Sequence, residues 1–514
     1  MQDGVAGQQA KTDTGWAGPE ADAAALLAVF QALRDDVGQA ADATMVGWSP
    51  KLHRAEFGGS ARNMAEWLAL RQMDLTPLQR PLSALGLSSL GRLEGHVGAS
   101  LAAVTASLAR IAGHAGKDFP DPVQFSAAAA VLPRRRDDLF GPQEADDPRT
   151  RIMVTLPTEA GTDGGTLIAA LIAAGTDCFR VNCAHDGPEV WGGMVDHIRA
   201  VEAATGRRFP ISMDLGGPKF RVAEVMAGKA AGGEKRVFGP GDRFALLRDK
   251  DHASKAMFAA VLSHEALVDS LQPGSEVSID DGKIWAKVVE VDPNGAILEV
   301  VRAPAKGGKI KVEKGVNLPG ADLRVAALTP DDLAALDFVV GRADIVSFSF
   351  VQTVADVQAL LAEMRRRASP GAALPAVVLK IETPLALRNL PDLIVEAGGS
   401  VPVGVMIARG DLAVEIGFDR LSEIQEQILW LCEAAQVPVI WATQVLEGMV
   451  RDGQASRAEV TDAAMSQRAE CVMLNKGPHV TGAVQFLRGI LSRMDRHQAK
   501  KSPRLAPLKS WTRG

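Results

Sequence analysis

The run AVVLKIE closes on Lys380 and Glu382, two positions apart, so a strand's period of two puts both side chains on one face. Charged groups at the end of an apolar strand are costly to bury without partners. Taken alone, this pair reads equally well as a structural ion pair or as part of a site. A second apolar run, VPVGVMIARGD, ends on Arg409, Gly410 and Asp411. Glu382 and Asp411, from adjacent strands, can share one divalent cation. An all-oxygen ligand set with no His or Cys nearby favours Mg2+ or Mn2+ over zinc. Arg180 and Asn182 share a face at the end of CFRVNCA. A metal-holding carboxylate pair flanked by the Lys380 and Arg180 cations forms an anion clamp. Phosphoryl transfer calls for such a clamp, because it needs charge neutralisation and little covalent chemistry from the protein. Other apolar runs end on Asp214 with Lys219 and Arg221 (in SMDLGGPKFR), on Ser349, on Thr443 with Gln444, and on Asn475 with Lys476.

These residues meet only if the runs that carry them are arranged side by side. From residue 151 the chain alternates β-rich runs, RIMVTLP, CFRVNCA, PISMDLG, ADIVSFSF, AVVLKIE, VPVGVMIARGD, VPVIWAT and CVMLNKG, with helical stretches such as GTLIAALIAAG and TVADVQALLAEMRRR. Near-continuous apolar strands separated by helices are parallel and buried on both faces. Eight such units predict an α/β protein built on a (β/α)8 TIM barrel, with its chemistry at the C-terminal ends of the strands. The barrel is expected at 150–221 and 321–495. Between these parts, KRVFGPGDRFALL, GSEVSIDDGKIWAKVVEVDPNGAILEVV and KGGKIKVEKGVNLPG alternate strands with Gly and Asn-Gly turns. They predict a small antiparallel β-barrel domain at 222–320, inserted over the mouth as a lid.

Upstream, residues 19–131 read as an all-α region, with apolar residues at helical spacing in ADAAALLAVFQALRDDVGQA and EGHVGASLAAVTASLARIAG. Arg92, Glu94 and His96 in GLSSLGRLEGHV read as a solvated helix face. Residues 132–149, LPRRRDDLFGPQEADDPR, are charged and proline-rich and read as a linker. Residues 1–18 read as a disordered tail and 496–514 as a C-terminal tail.

Composition narrows the function classes. The chain has 514 residues, 47% of them apolar, enough for roughly two to four domains with large cores. A net charge of −6 with mixed signs gives no basis for a nucleic-acid or membrane-surface partner. No apolar run reaches the roughly 18 residues of a membrane span, and the N-terminus lacks the features of a secretory signal. The 4 cysteines have neither metal nor disulfide spacing, which fits a reducing cytoplasm. With 0 tyrosines, no phenol can act as acid or base.

The motifs RVNCAHD, SMDLGGPKFR, DDGKIWAKV, KGVNLPG, VVLKIET, IARGDLAVEI, VIWATQVLEGM and SRAEVTDAA stand in an order and spacing that resembles the pyruvate kinase family, over about residues 150–495. The resemblance implies phosphoryl transfer from phosphoenolpyruvate to ADP or another nucleoside diphosphate, giving pyruvate, and a homo-oligomer. Lys380 and Arg180 then act on the transferring group, Thr443 serves the proton path to the enol carbon, and Glu382 and Asp411 hold Mg2+ or Mn2+. Ser349 and the backbone of Ala408, Arg409 and Gly410 form the substrate pocket. Arg221, Lys314, Asp281, Asn182, His185 and Pro157 fall at the nucleotide end. The family's usual C-terminal effector domain is expected to be absent.

Two departures matter. The family's monovalent-cation site reads Asn-x-Ser-His and Asp-Thr-Lys-Gly-Pro-Glu, whereas this chain has Asn182-Cys183-Ala184-His185 and Asp214-Leu215-Gly216-Gly217-Pro218-Lys219. The Leu and Lys changes resemble the family's potassium-independent branch. Lys219 is expected to take the place of K+ and neutralise Asp214, so that K+ is not required. The family's Ser-Gly-Glu-Thr-Ala-Lys-Gly loop is replaced by LNKGPHVTG. That change leaves open an Mg2+-dependent lyase or aldolase-type enzyme acting on phosphoenolpyruvate or pyruvate, and a non-catalytic regulatory paralogue.

Overall fold

The eight apolar runs fold as parallel strands Arg151–Thr155, Cys178–Asn182, Ile211–Asp214, Ile345–Phe348, Ala376–Ile381, Val403–Ala408, Val439–Ala442 and Cys471–Leu474. Each pairs with the next in chain order, and the first pairs with the last, closing the barrel. The computed structural model describes residues 22–114, 118–144, 147–226, 236–254, 257–320, 325–500 and 502–503. The expected tail at 1–18 lies outside the described residues, as do 501 and 504–514. Of the expected C-terminal tail, Gln498–Ala499 pairs antiparallel with Ser502–Pro503.

Helices surround the barrel, and several begin where the sequence supplies a cap. Thr329 with Asp332, Thr353 with Asp356 and Ser456 with Glu459 each form a reciprocal capping box. Such boxes fix where each βα loop ends, and so where its residues stand at the mouth.

The lid is a seven-stranded sheet, with Val316–Asn317 at one edge and Val222–Met226 at the other. An antiparallel bridge between Arg221 and Gly315 joins the chain beside these two edges. Most pairs are antiparallel as expected, but Arg243–Leu247 and Ala259–Leu262 run parallel. A connection containing the 3-10 turn Lys250–His252 carries the chain back between them. Phe238 packs edge-on against Phe244 and Phe258, with ring centroids 5.6 and 5.0 Å apart, at the centre of the lid core.

The linker expected at 132–149 is corrected by the structure. Helix Pro122–Phe140 runs through its first half, with Pro133 inside. Strong helix formers in SAAAAV precede the proline, and the charges that suggested solvation are paired. Asp137 meets Arg136 at 2.7 Å and the buried Arg151 at 2.8 Å. Arg135 donates to the carbonyls of Ala435 and Gln436 at 3.3 and 3.0 Å. Leu139 and Phe140 are buried in one cluster with Met153, Cys178, Met406 and Cys471, so this segment contributes to the barrel core.

The chain divides into two compact units, one comprising 1–49 with 59–131 and the other 50–58 with 132–514. In the first, Leu26, Phe30, Leu33 and Val37 form the buried stripe of helix Ala23–Trp48. Arg92 is exposed as expected, but the expectation of a solvated helix face at 92–96 fails at Glu94, which is buried, and in its helix, since Glu94–His96 is a 3-10 turn. Asn63 accounts for it, donating to the Glu94 carbonyl at 2.7 Å and accepting from the Val97 amide at 2.8 Å. In the second unit, Arg54 donates to the Gly398 carbonyl at 3.2 Å. Among the described residues, no helix is long and apolar enough to cross a membrane.

Helix Pro188–Thr205 approaches the turn Thr158–Gly161 so closely that a Cβ on Gly193 would stand 2.1 Å from the Gly161 carbonyl oxygen. Backbone meets backbone there, so neither side can give way cheaply. Gly193→Ala should therefore destabilise the protein by about 1–3 kcal/mol, read as a lower urea midpoint with an unchanged denaturant slope.

Candidate active site

Barrel register decides which side chains converge. Asn182 lies opposite Asp214, Ser347 also lies opposite Asp214, and Thr155 lies opposite Arg180. Arg180 Nε donates to Asp214 Oδ2 at 2.8 Å, and its Nη1 donates to Thr155 Oγ1 at 3.1 Å. Lys380 Nζ donates to Ser349 Oγ at 2.6 Å and lies 3.3 Å from Glu382 and 3.6 Å from Asp214. Ser349 Oγ in turn donates to the Leu215 carbonyl at 2.7 Å, which fixes its lone pairs toward the lysine. Glu382 Oε2 accepts from the Phe350 amide at 2.6 Å. Burial pushes the Glu382 carboxyl above its usual range; Lys380 opposes that, and the nearby Asp411 carboxylate adds to it.

Lys219 departs from expectation. Its ammonium lies 2.8 Å from Asp411 Oδ1 and 3.9 Å from Asp281 Oδ1, not on Asp214, which is held by Arg180 and Lys380. The cause is the turn before it. Gly217 adopts φ +69 and Pro218 follows, so the chain leaves the barrel and Lys219 reaches the mouth from the lid side. A side chain on Gly217 would stand 2.9 Å from Phe350 and Ser349 atoms. Burial is the largest influence on the Lys219 ammonium and works to lower it, but Asp411, with Asp281 and Glu382 adding to it, makes the net shift upward. The whole cluster sets Arg180, Lys380 and Lys219 against Asp214, Glu382 and Asp411, a balance that makes burial of so many charges tolerable.

Helix Arg409–Ile416 starts at the end of the sixth strand. The Gly410 amide donates to Thr443 Oγ1 at 2.8 Å, and Thr443 Oγ1 donates to the Ala442 carbonyl at 2.7 Å. Arg409 turns away from the mouth: it donates to the carbonyls of Ala442 and Thr443 at 2.8 and 2.6 Å and pairs with Asp462. Its guanidinium also lies over Trp441, 4.8 Å from the ring centroid. Thr443 and Gln444 both have positive φ, +64 and +57, and Arg409 grips the carbonyl of this strained turn. Nothing in the SRAEVTDAA motif marks Asp462 by itself; the fold shows it holding Arg409.

Of the residues expected at the nucleotide end, Pro157 lines a cleft and His185 feels the charge of Arg221, while Asn182, Lys314 and Asp281 have other partners. Pro157, Thr158, Lys476 and Gly477 line a cleft of about 490 Å3. Burial lowers the His185 imidazole pKa, and the cations Lys476 and Arg221 lower it further, so all three are electrostatically coupled. Asn475 is tied to Glu447 at 3.1 Å, while Asn182 Oδ1 accepts from the Ala184 amide at 3.2 Å. On the lid, Lys314 pairs with Asp280 at 2.9 Å, and Arg221 Nη1 donates to the Glu313 carbonyl at 3.0 Å. Among the described ion pairs, Asp281 joins the barrel cluster through Lys219.

Glu382 and Asp411 fit a hard divalent cation. Glu382 is buried and Asp411 half-buried in one electrostatic cluster, and Asp411 Oδ1, itself out of contact with solvent, has no well-aligned hydrogen bond, only the Lys219 charge beside it. Among the described residues no group of three or more His, Cys, Asp or Glu side chains could hold a metal. Two carboxylates suit Mg2+, which keeps waters and takes substrate oxygens for its remaining positions.

A closed (β/α)8 barrel with a paired carboxylate–cation cluster at its mouth and a β-sheet domain inserted after the third strand defines the class. Residues 147–483 match the family model for the pyruvate kinase barrel domain. Proteins named pyruvate kinase are similar to this chain: that of Methylorubrum extorquens is 34% identical over 64% of this chain and 64% of its own length. One from Agrobacterium vitis is 30% identical over 68% of this chain and 70% of its own, and that of Corynebacterium glutamicum 31% over 65% and 67%. The chain belongs to the pyruvate kinase family. Its match spans about two thirds of the length of these relatives.

Removing the Asp462 carboxylate strands a guanidinium whose side chain is 10% exposed. Asp462→Ala should cost about 3 kcal/mol, and the Arg409→Ala, Asp462→Ala double variant should cost less than the sum of the singles. Urea unfolding of all four proteins measures both.

Proposed function

We propose that this chain transfers the phosphoryl group of phosphoenolpyruvate to ADP or another nucleoside diphosphate, giving pyruvate and the triphosphate. The observation that carries the reading is Lys380: an ammonium held by Ser349, Glu382 and Asp214 at the mouth, beside Arg180 and the carboxylate pair. Lys380 and Arg180 neutralise charge on the group in transfer, and their fixed partners spare them reorganisation during the reaction. The helix starting at Arg409 favours the substrate carboxylate at its N-terminus. Thr443, its hydroxyl fixed between Gly410 and Ala442, lies on the proton path to the enol carbon.

Mg2+ or Mn2+ on Glu382 and Asp411 would supply further positive charge to the phosphoryl and enolate oxygens. The cleft beside Pro157, with Lys476, His185 and Arg221 near it, supports a nucleotide phosphate chain at that end. It favours the phosphotransferase over a lyase that has lost nucleotide. Lys314 and Asp281 belong to the lid that closes over this end.

Lys380→Met should reduce pyruvate formation from phosphoenolpyruvate and ADP by at least about 10^3-fold while leaving Mn2+ binding within about threefold. A variant retaining more than a tenth of wild-type turnover would overturn the role given to Lys380.

Family members generally use Mg2+ and K+. Against the family motif, three oxygen-bearing groups around the monovalent site give way to Ala184, Leu215 and Lys219, and Asp214 already has Arg180 and Lys380 as partners. We infer that turnover does not require K+. Rates in Tris or Na+ buffer should lie within about twofold of those in K+; dependence on K+ of tenfold or more would sink this reading.

A further inference from the structure

Lys219 is the one residue that links the barrel's carboxylate cluster to the tip of the lid among the described ion pairs. Its Nζ is 2.8 Å from Asp411 Oδ1 and 3.1 Å from Oδ2, so it sits across both oxygens. Asp281 Oδ1 stands 3.9 Å away on the other side, at the outer edge of ion-pair range. The two carboxylates differ in setting. The Asp411 side chain is 14% exposed and belongs to the barrel; that of Asp281 is 54% exposed and belongs to the lid tip.

The stem of Lys219 has a prepared path between them. A Cβ on Gly315 would come within 3.0 Å of Lys219 Cε and 3.8 Å of Asp281 Oδ1, so the lysine stem packs close against the backbone at Gly315. Lys219 also sits where the chain passes from barrel to lid, one residue before Phe220, whose carbonyl accepts from Val316. The tip itself, Asp280–Gly282, has positive φ throughout and rests against the barrel, since a Cβ on Gly282 would lie 3.4 Å from the Phe418 ring. A cation moving from Asp411 to Asp281 therefore changes what holds the tip to the mouth.

We propose that Lys219 is a two-position latch. Its ammonium competes with the divalent cation for Asp411 and, once displaced, pairs with Asp281 and holds the lid tip over the mouth. This rests on Asp411 being a metal ligand. Lys219 thereby makes cation binding and lid position one coupled equilibrium: it lowers cation affinity through Asp411 and recovers part of it through Asp281.

Mn2+ binding to the full chain without substrate, followed by loss of the free-ion EPR signal, tests the latch. Lys219→Met should tighten Mn2+ binding about tenfold. Asp281→Asn should weaken it about threefold in the Lys219 chain and leave it unchanged in the Lys219→Met chain, because only a displaced ammonium makes Asp281 matter. An equal effect of Asp281→Asn in both backgrounds would reduce Asp281 to a general charge effect and overturn the latch. Unchanged or weaker binding in Lys219→Met would do the same. Mn2+ binding that survives Asp411→Asn overturns the ligand reading and the latch with it. Binding lost in Asp411→Asn but indifferent to Lys219 overturns the latch alone.

Discussion

A carboxylate with no exposed surface must be met by cations, and Asp214 at the end of the third barrel strand is met by two, Arg180 and Lys380. That demand organises the mouth. Arg180 is drawn across from the second strand and Lys380 reaches it from the fifth, with Ser349 fixing the lysine from the fourth. Once Asp214 holds these two, Glu382 and Asp411 are left to share the remaining positive charge with Lys219. The cluster is neutral as a whole, and the low dielectric that would penalise any one of its members alone makes each pair inside it strong.

The backbone around the cluster is arranged to serve it. Phe350 takes a positive φ and presents its amide to Glu382; Gly217 takes one and turns Lys219 to the lid side. Thr443 and Gln444 do likewise under the grip of Arg409, itself held by Asp462. Such conformations cluster where a surrounding scaffold over-determines them. The scaffold here is the closed barrel, with the buried Arg151 and the half-buried Asp137 tying segment 132–149 to its first strand. The lid shares this economy, since the chain that leaves at Gly217 returns past Gly315 alongside the stem of Lys219.

Much of this was legible in the residues. Eight apolar runs with helices between them dictated the barrel, because parallel strands buried on both faces tolerate few polar positions, and the exceptions stood at the strand ends. Period two placed Lys380 with Glu382 and Arg180 with Asn182. The Gly and Asn-Gly turns between alternating strands marked the inserted sheet. What failed did so for a common reason: charge was read as exposure. Arg136 and Asp137 suggested a linker and Glu94 a solvated face, yet Arg136 and Asp137 pair with each other and with the first strand's Arg151, and the Glu94 backbone is held by Asn63.

Sequence alone determined which residue types stand at which strand end, since that follows from local periodicity. It determined the lid by its turns, and the family by the order of its motifs. Tertiary structure decided the pairing. Lys219 could have met Asp214, five residues before it, or Asp411, 192 residues beyond it, and the turn at Gly217-Pro218 selected the distant one. Asp462 gained its role only when the helix carrying it packed beside Arg409. Coulomb attraction depends on distance in space, and nothing in local periodicity encodes which carboxylate a cation will reach once the barrel closes.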